Sequence, residues 1–399
     1  MIKKIASEGR TSAFEIFSEI VPCGLQFGPT KEEYFAIFQD IFERQYYTNH
    51  GPLAQKLEQS LADRLQVRHA MCVTNEYIGL ALIVQALGIR GKVLLPAASS
   101  LATVQPLEWV GAAPAFVDVD PDTGLMNDVL LEQMLNSGSY GAILGVNSLG
   151  DACDIEKMEW LANRYKVPLL FDSSQGLGCV TRGGPLGRFG MAEVFSMHAD
   201  NMINAGQGGV VSTNDDALAA HFRNIRSNYG MGPAVKVAKT SNGRLSEAQA
   251  AMALHGLTHL DALMARNAGL TKSYLEVIEG ISGLTPRAHH GVVSSNHQNM
   301  VVFVDQDSYG LSARELRDAL HRERVMARHG PGGVNETPAC DVFACDLNNF
   351  PGAHAYLEKS LHLPMHCSLN LEGVGKIGKL LKDFGRGNQS ATAHAESLI

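Results

Sequence analysis

Apolar side chains follow helical spacing in the first part of the chain. Leucines recur at every fourth position from Leu53 to Leu65, which predicts an amphipathic helix over 52–65. A second, more uniformly apolar stretch covers 78–87 and stops at Gly88, a residue typical of helix ends. These two helices follow a first stretch with helical spacing, around 34–42, and precede a change in the pattern.

Beyond residue 90 the apolar residues form short runs that alternate with helical stretches. The runs predict β-strands at Val93–Ala97, Ala115–Val119, Gly141–Val146, Pro168–Asp172, Val194–Met197 and Gly209–Ser212. The helical stretches between and after them cover 100–110, 126–136, 154–165 and 215–226. Apolar strands spaced by helices indicate a mostly parallel sheet that is covered on both faces. The chemistry of such a sheet lies in loops beyond the carboxyl ends of its strands.

A long helical pattern without proline over 246–278 predicts a helix that links the large domain to a smaller one. Two apolar runs and two helical patterns follow, at 300–304, 312–323, 361–365 and 371–384. We therefore expect an α/β protein whose large domain holds a mostly parallel, seven-stranded sheet between helices. A smaller C-terminal α+β domain completes the fold.

These patterns predict four parts along the chain. An N-terminal arm covers 1–45, the large domain covers 46–250, and the interdomain helix with the small domain covers 251–385. The last segment, 386–399, is polar and rich in small residues, which predicts a disordered tail.

Composition restricts the classes of partner. The chain has 33 Lys and Arg against 41 Asp and Glu, a net charge of −8, so no large basic face is expected for nucleic acid or anionic membranes. It has neither an apolar run long enough to span a bilayer nor a signal-peptide pattern, which predicts a cytoplasmic protein. No C-x-x-C pair occurs among the seven cysteines, and Pro364 separates His362 from His366, so no metal site is expected.

Six motifs occur in order between about residues 45 and 384. They are Tyr47–Pro52, Val117–Thr123, Phe171–Gln175, Phe195–Gly209, Asn242–Ala250 and Leu361–Met365. In this order and spacing they resemble the motifs of the DegT/DnrJ/EryC1/StrS sugar aminotransferases. That family has the aspartate-aminotransferase-like fold, fold type I of the enzymes that use pyridoxal phosphate (PLP).

The resemblance implies roles for four residues. Asp172 matches the carboxylate that keeps the pyridinium nitrogen of the cofactor protonated. Gln175 matches a residue near the cofactor ring, and Ser196 matches a hydroxyl that donates to the cofactor phosphate. Asn242 matches a phosphate contact that the other subunit contributes, which implies a homodimer.

The family's lysine is absent. Phe195–Asn201 reads F-S-M-H-A-D-N where the family has F-S-F-H-A-T-K, so Asn201 stands at the lysine position. An amide nitrogen is neither nucleophilic nor usefully basic, so it cannot form the Schiff base. A shifted alignment does not supply another lysine, because none lies between Lys166 and Lys236.

Three further departures surround the same cofactor position. The family's phosphate-binding [SN]-[GA]-T is replaced by Asn75-Glu76-Tyr77, which brings a carboxylate and a bulky ring to the phosphate. Ser100 stands where an aromatic ring or histidine usually stacks on the cofactor. We therefore expect no covalently bound cofactor. PLP or pyridoxamine phosphate (PMP) would bind at most non-covalently, and loss of the cofactor is the favoured interpretation.

Four functions remain open at this stage. The favoured one is a repurposed, PLP-independent enzyme with His198, Asp172 and the position of Asn201 in its catalytic site. The alternatives are a PMP-dependent enzyme similar to the deoxysugar dehydratases, a non-catalytic pseudo-aminotransferase that binds a partner or ligand, and an ordinary aminotransferase studied as a Lys→Asn variant. Glu76, Tyr77 and Ser100 count against the last, since trapping an intermediate does not require them.

The resemblance also suggests the substrate class. Relatives act on nucleotide-linked sugars or aminocyclitols, which implies a small-molecule substrate from natural-product or polysaccharide biosynthesis. Glu76, Tyr77 and Ser100 are expected to line the cleft. His329 is expected to join them from the small domain.

Overall fold

The computed structural model describes residues 16–227, 232–330, 339–343 and 345–396, with side chains described up to residue 385. Residues 1–15 of the expected N-terminal arm, 1–45, therefore lie outside the described residues. No helix in the described part of the chain combines the length and the apolar character needed to cross a membrane.

The helices and strands alternate through the first two thirds of the chain. The helices are α1 Lys31–Arg44, α2 Pro52–Leu65, α3 Glu76–Ala86, α4 Leu101–Trp109, α5 Asp128–Ser137, α6 Ile155–Tyr165, α7 Asp216–Arg226, α8 Glu247–Thr258, α9 Leu260–Ile278, α10 Gln306–Tyr309, α11 Ala313–Arg322, α12 Ala339–Val342, α13 Pro351–Lys359 and α14 Leu371–Glu396. The strands are β1 His69–Val73, β2 Gly91–Pro96, β3 Ala112–Val117, β4 Ala142–Val146, β5 Leu169–Asp172, β6 Val180–Thr181, β7 Gly184–Pro185, β8 Ala192–Ser196, β9 Gly209–Thr213, β10 Leu284–Pro286, β11 Met300–Val304, β12 Arg328–His329 and β13 Ser360–Leu363.

Seven strands form the large sheet, in the order β1-β9-β8-β5-β4-β2-β3. The pairs β2–β3, β2–β4, β4–β5 and β5–β8 are parallel, whereas β9 runs antiparallel to both β8 and β1. This architecture confirms the predicted α/β fold with a mostly parallel sheet. Asp172 pairs with Val146 on one side and Val194 on the other, so the carboxyl ends of three central strands meet at one edge.

Helices cover both faces of this sheet because its strands are apolar on both faces. Successive residues of β2 show the alternation, since Leu94 packs with α2, α5, α6 and α8 while Val93 and Leu95 pack with α3, α4 and α7. Continuous apolar strands of this kind are typical of buried parallel sheets.

The C-terminal part forms a second sheet with its own core. Its order is β10-β11-β13-β12, and all its pairs are antiparallel. Residues of α9, α11 and α14 pack on it, including Tyr274, Leu316 and Ile377. The described elements therefore include the small α+β unit that the sequence predicts.

The predicted helix over 246–278 is wrong at one position, because α8 and α9 are separate helices that meet at His259. The Thr258 hydroxyl and the His259 ring both lie within hydrogen-bonding distance of the His255 carbonyl oxygen, at 2.7 and 2.9 Å. These side chains compete with the main-chain N–H that would continue the helix, and the helix ends there.

The end of the chain also differs from expectation. The helix α14 continues to Glu396, through most of the segment 386–399 that was expected to be disordered. Three alanines between residues 391 and 395 favour helix once the preceding turns are packed.

Candidate functional site

A cavity of about 330 Å³ opens at the carboxyl ends of β2, β4, β5 and β8, facing the small domain. It is lined by Glu76, Pro96, Ala98, Ser99, Ser100, Leu101, Ala102, Thr103, Gly124, Val146, Asn147, Ser148, Leu149, Asp172, Ser174, Gln175, Ser196, His198, Asp200, Asn201, Arg328 and Tyr356. This is the edge at which a parallel sheet binds its ligands. No lysine is among these lining residues.

Asp172 ends β5 and turns a buried carboxylate into this cavity. One oxygen accepts a hydrogen bond of 2.7 Å from the Thr103 hydroxyl. The other accepts from both the backbone amide and the hydroxyl of Ser174. Three donors from the protein therefore satisfy most of the carboxylate without any ligand.

Glu76 begins α3 at the opposite end of the cavity. Its carboxylate accepts a 3.0 Å hydrogen bond from the Ser196 hydroxyl, which lies 120 positions away in the sequence. Burial raises the pKa of this carboxyl, although bonds from its own backbone amide and from Ser196 oppose the shift. The serine that the resemblance assigns to the cofactor phosphate thus donates to a carboxylate of the chain itself.

The main chain of β9 lies close to the first turn of α3, where Glu76 is located. A Cβ atom at Gly209, the first residue of β9, would lie 2.6 Å from the backbone nitrogen of Glu76. Only glycine allows β9 to approach the first turn of α3 so closely. The position of Glu76 is therefore set by the packing of main chain against main chain.

Asn201 lies in the loop after β8 and is 8% exposed. Its amide oxygen accepts a 2.7 Å hydrogen bond from Gln298, which is also buried. The Gln298 carbonyl oxygen in turn accepts from the backbone amide of Met202. The side chain at the position that the resemblance assigns to the lysine is therefore part of a polar network that joins the loop to the segment before β11.

Two other expected residues line the cavity. Gln175 accepts a 3.0 Å hydrogen bond from the backbone amide of Leu149, which fixes its side-chain amide against the loop after β4. The ring of His198 accepts from the backbone amide of Asp200 at 3.3 Å. Both lie near Asp172 and Asn201 in space, as the motifs predict.

The small domain contributes Arg328 to the cavity, whereas the sequence predicts its neighbour His329. The Arg328 guanidinium lies 3.0 Å from the carboxylate of Asp200 and also donates to the Cys23 carbonyl oxygen. His329 is 6% exposed and points the other way, with its ring 3.2 Å from the Glu358 carbonyl oxygen. Successive residues of a strand face opposite sides, so the expectation for His329 is corrected to Arg328.

Of the two residues Ser100 and Tyr77, which were both expected to line the cleft, only Ser100 does so. Ser100 lines the cavity, and its hydroxyl lies 3.3 Å from the Thr103 hydroxyl. Tyr77 does not line it, because its ring packs against the exposed ring of Trp109 with 6.3 Å between centroids. Consecutive residues of a helix point about 100° apart, so Glu76 turns inward while Tyr77 turns outward.

Asn242 is exposed and lies outside the cavity of its own chain. Its side-chain oxygen accepts a hydrogen bond of 3.4 Å from Asn49. Both residues therefore belong to the surface near the amino end of α2, together with the exposed aromatic side chains that follow α1.

Comparisons with known proteins identify relatives over most of this fold. The family model described as the DegT/DnrJ/EryC1/StrS aminotransferase family matches residues 29–382. The dTDP-4-amino-4,6-dideoxy-D-glucose transaminase of Shigella dysenteriae is 28% identical over 362 residues, which cover 89% of this chain and 96% of that protein. The erythromycin biosynthesis sensory transduction protein EryC1 of Saccharopolyspora erythraea is 29% identical over 338 residues, covering 84% and 90%.

Solved structures give the same result. The crystal structure of DesI in the presence of its TDP-sugar product superposes with a TM-score of 0.83 at 29% identity, covering 95% of this chain and 96% of DesI. The Helicobacter pylori protein PseC, an aminotransferase involved in the biosynthesis of pseudoaminic acid, superposes with a TM-score of 0.79. At 22% identity, with 93% and 99% of the chains covered, PseC supports the fold alone.

Proposed function

Because this chain belongs to the DegT/DnrJ/EryC1/StrS aminotransferase family, we propose that it acts on a nucleotide-linked sugar without forming a Schiff base to PLP. The proposal rests chiefly on one observation, the hydrogen bond from Ser196 to the carboxylate of Glu76. The substrate class is carried over from the relatives named as dTDP-sugar and UDP-sugar aminotransferases.

The residues at the lysine position do not fit a covalently bound cofactor. Asn201 has no basic nitrogen, and its amide oxygen is bonded to Gln298. No lysine is among the residues that line the described cavity, so no neighbouring amine replaces the family's lysine amine.

The residues at the phosphate position do not fit the cofactor either. The Glu76 carboxylate lies at the amino end of α3 and uses the Ser196 hydroxyl that a phosphate would need. A second anion about 4 Å away would be repelled by on the order of 1–4 kcal/mol, depending on how much water screens the pair. Glu76 thus takes the place of the phosphate as an anion built into the chain.

Asp172 matches the family residue that binds the pyridinium nitrogen, so its presence is the main argument for a bound cofactor. The hydrogen bonds around Asp172 weaken that argument. Thr103 and Ser174 supply three donors to its two oxygens, so the carboxylate is stable in the absence of a pyridinium partner. Its presence is explained by the folding of the loops around the end of β5.

The chemistry that we propose is proton transfer by side chains of the cavity. The raised pKa of Glu76 makes its carboxylate a better proton acceptor than the carboxylate of an exposed glutamate. His198 lines the same cavity, and its ring nitrogens can donate or accept a proton. These two groups are the proposed acid and base, and Arg328 is a cation at the side of the small domain.

Absorbance titrations with PLP and with PMP test the cofactor part of this proposal. We expect no saturable spectrum from the wild type with either compound, and no borohydride-reducible adduct in Asn201→Lys. Adding Glu76→Ser to Asn201→Lys should tighten PLP binding by about tenfold or more, because 1.4 kcal/mol of relieved repulsion corresponds to that factor. Glu76→Gln in the same background is the matched control, since it removes the charge and keeps most of the volume.

Each contrary outcome points to another function. Saturable binding of PMP by the wild type would favour an enzyme similar to the PMP-dependent deoxysugar dehydratases. Tight PLP binding by Asn201→Lys alone would contradict the role of Glu76. Calorimetry with dTDP-linked and UDP-linked hexoses, followed by product analysis, tests the substrate class, and binding without turnover would favour the non-catalytic alternative.

We also propose that two copies of the chain associate through the surface that we call the aromatic patch. It consists of Tyr34, Phe35, Phe42, Tyr46 and Tyr47, and the last four of these are between 38% and 63% exposed. The patch is continuous with Asn49, which holds Asn242, the residue that the family resemblance assigns to a partner's site. Large exposed aromatic groups of this kind are typical of interfaces.

Sedimentation velocity tests the association. We expect the wild type to sediment as a dimer and the double variant Phe35→Ser/Phe42→Ser to shift toward a monomer. Trp160→Ser is the matched control, because Trp160 is also exposed and lies on α6, away from the patch. A wild type that remains monomeric at high concentration would rule out the proposal.

A further inference from the structure

A second, smaller compartment of about 30 Å³ adjoins the cavity on the side of the small domain. The two spaces share the lining residues Gln175, Asp200, Asn201 and Arg328. The deeper compartment is also lined by Gln298, Asn299 and His362. Its walls are therefore mainly polar, although it is enclosed by the fold.

Two of these residues carry buried polar atoms without a partner in the described part of the chain. They are the side-chain amide nitrogen of Asn299 and the Nε2 atom of His362. A buried polar atom that lacks a hydrogen bond costs about 1–3 kcal/mol, so each of these two atoms favours a bound partner. Such atoms are usually satisfied by a bound molecule.

The protonation of the His362 ring determines whether a bound molecule must donate a hydrogen bond to Nε2 or accept one from it. His362 lies in β13 and is 3% exposed, and burial followed by the charges of Arg287 and Arg328 lowers its pKa to about 3. The ring is therefore neutral, and it also makes a hydrogen bond with the backbone of Gly330. Since Nε2 has no partner, the Gly330 bond belongs to the other ring nitrogen, and Nε2 is left to accept.

The required ligand both donates and accepts. It donates a proton to the Nε2 lone pair of His362 and accepts one from the amide nitrogen of Asn299. A water molecule does both, whereas an ammonium ion has no lone pair with which to accept. The compartment exceeds the roughly 10–15 Å³ that one water needs.

We propose that this compartment is a binding site for an ordered water molecule that bridges Asn299 and His362 behind Asn201. The water lies against the wall of the cavity at the position where the family has its lysine. Asn201, which borders both spaces, separates it from the substrate side. This site is independent of the function proposed above, because it rests on the two unpartnered atoms alone.

A double-mutant cycle between Asn299→Leu and His362→Phe tests the bridge, because both changes keep the shape and remove the polar atom. We expect each single variant to lower the melting temperature. We expect the double variant to lose less than the sum, because the first change already removes the shared water. Asn299→Leu combined with His329→Phe is the matched control and should be additive, because His329 does not line the compartment.

Two outcomes would overturn the proposal. If the compartment is dry, Asn299→Leu removes an unsatisfied group and raises the melting temperature, and the effects of the two changes add, because the loss of the bond between His362 and Gly330 is the same in both backgrounds. A high-resolution crystal structure of the wild type gives a second readout that does not depend on the variants folding. It should show a density peak within hydrogen-bonding distance of both atoms, and an empty compartment would contradict the proposal.

Discussion

The two ends of the cavity each carry a carboxylate, buried at Asp172 and half-buried at Glu76, and the two are stabilised differently. Asp172 accepts three hydrogen bonds from Thr103 and Ser174. Glu76 receives one from the side chain of Ser196, and burial raises its pKa. The first carboxylate fits its surroundings as an anion, whereas the second is held where its charge is less favourable.

This difference bears on whether the cavity binds PLP, because Asp172 matches the family motif and Glu76 does not. Asp172 matches the family motif, yet its own hydroxyl and amide donors are enough to keep it in place. Glu76 departs from the motif, and burial makes its ionised form less favourable. The proposed role of Glu76 as a proton acceptor and as a substitute for phosphate accounts for a carboxylate at this position.

The largest effect on stability is expected from Asp172→Asn. The amide NH₂ of asparagine cannot accept the hydrogen bonds that one carboxylate oxygen accepts from Thr103 or Ser174. Hydrogen bonds to a charged group are worth about 1.5–3 kcal/mol. Urea denaturation should show a loss of that size in the free energy of unfolding. Asp63→Asn, at an exposed aspartate of α2, is the control and should change it by less than about 0.5 kcal/mol. Equal losses in the two variants would mean that the Asp172 network contributes nothing.

A smaller effect at the same end is expected from Thr103→Val. This substitution keeps the branched shape and removes one of the three donors to Asp172, which should cost about 0.5–1.5 kcal/mol. Thr103→Ser keeps the hydroxyl and should recover most of the loss in the same denaturation assay. A serine variant as unstable as the valine variant would assign the effect to packing.

The smallest effect is expected from Glu76→Gln, and it has the opposite sign. The folded state raises the pKa of Glu76, so the wild type loses stability as the pH rises from the ordinary carboxyl pKa through the raised value. The glutamine variant lacks this loss and can still accept from Ser196. Its free energy of unfolding should match the wild type at pH about 4 and exceed it at pH about 8. A difference that is the same at both pH values would show that Glu76 does not titrate abnormally.

Much of the large domain could be predicted from the sequence because its strands are short apolar runs between helices. The six strands expected from Val93 onward each lie within three residues of those observed. The strand β1 escaped prediction, since His69 to Val73 contains no run of β-branched residues and is held by pairing with β9. The break at His259 depends on side chains that compete for one carbonyl group, which periodicity does not report.

The site could be predicted in part, since motif order placed Asp172, Gln175, Ser196 and Asn201 in one region. Their hydrogen-bond partners could not be predicted, because they come from distant segments. Thr103 reaches Asp172 across 69 positions, and Gln298 reaches Asn201 across 97. Whether Arg328 or His329 faces the cavity depends on which face of a two-residue strand lies against it. A strand of two residues is too short to show the alternation of polar and apolar positions that would predict this.

The glycine at the start of β9 has a consequence for the engineering of this site. Because Gly209 lets the sheet approach the first turn of α3, the main chain around Glu76 does not depend on which side chain stands at position 76. Directed evolution toward a pyridoxal enzyme would then need side-chain replacements without any rebuilding of loops. A bulkier residue at 209 would instead close that route permanently, since every later step would begin from a displaced helix.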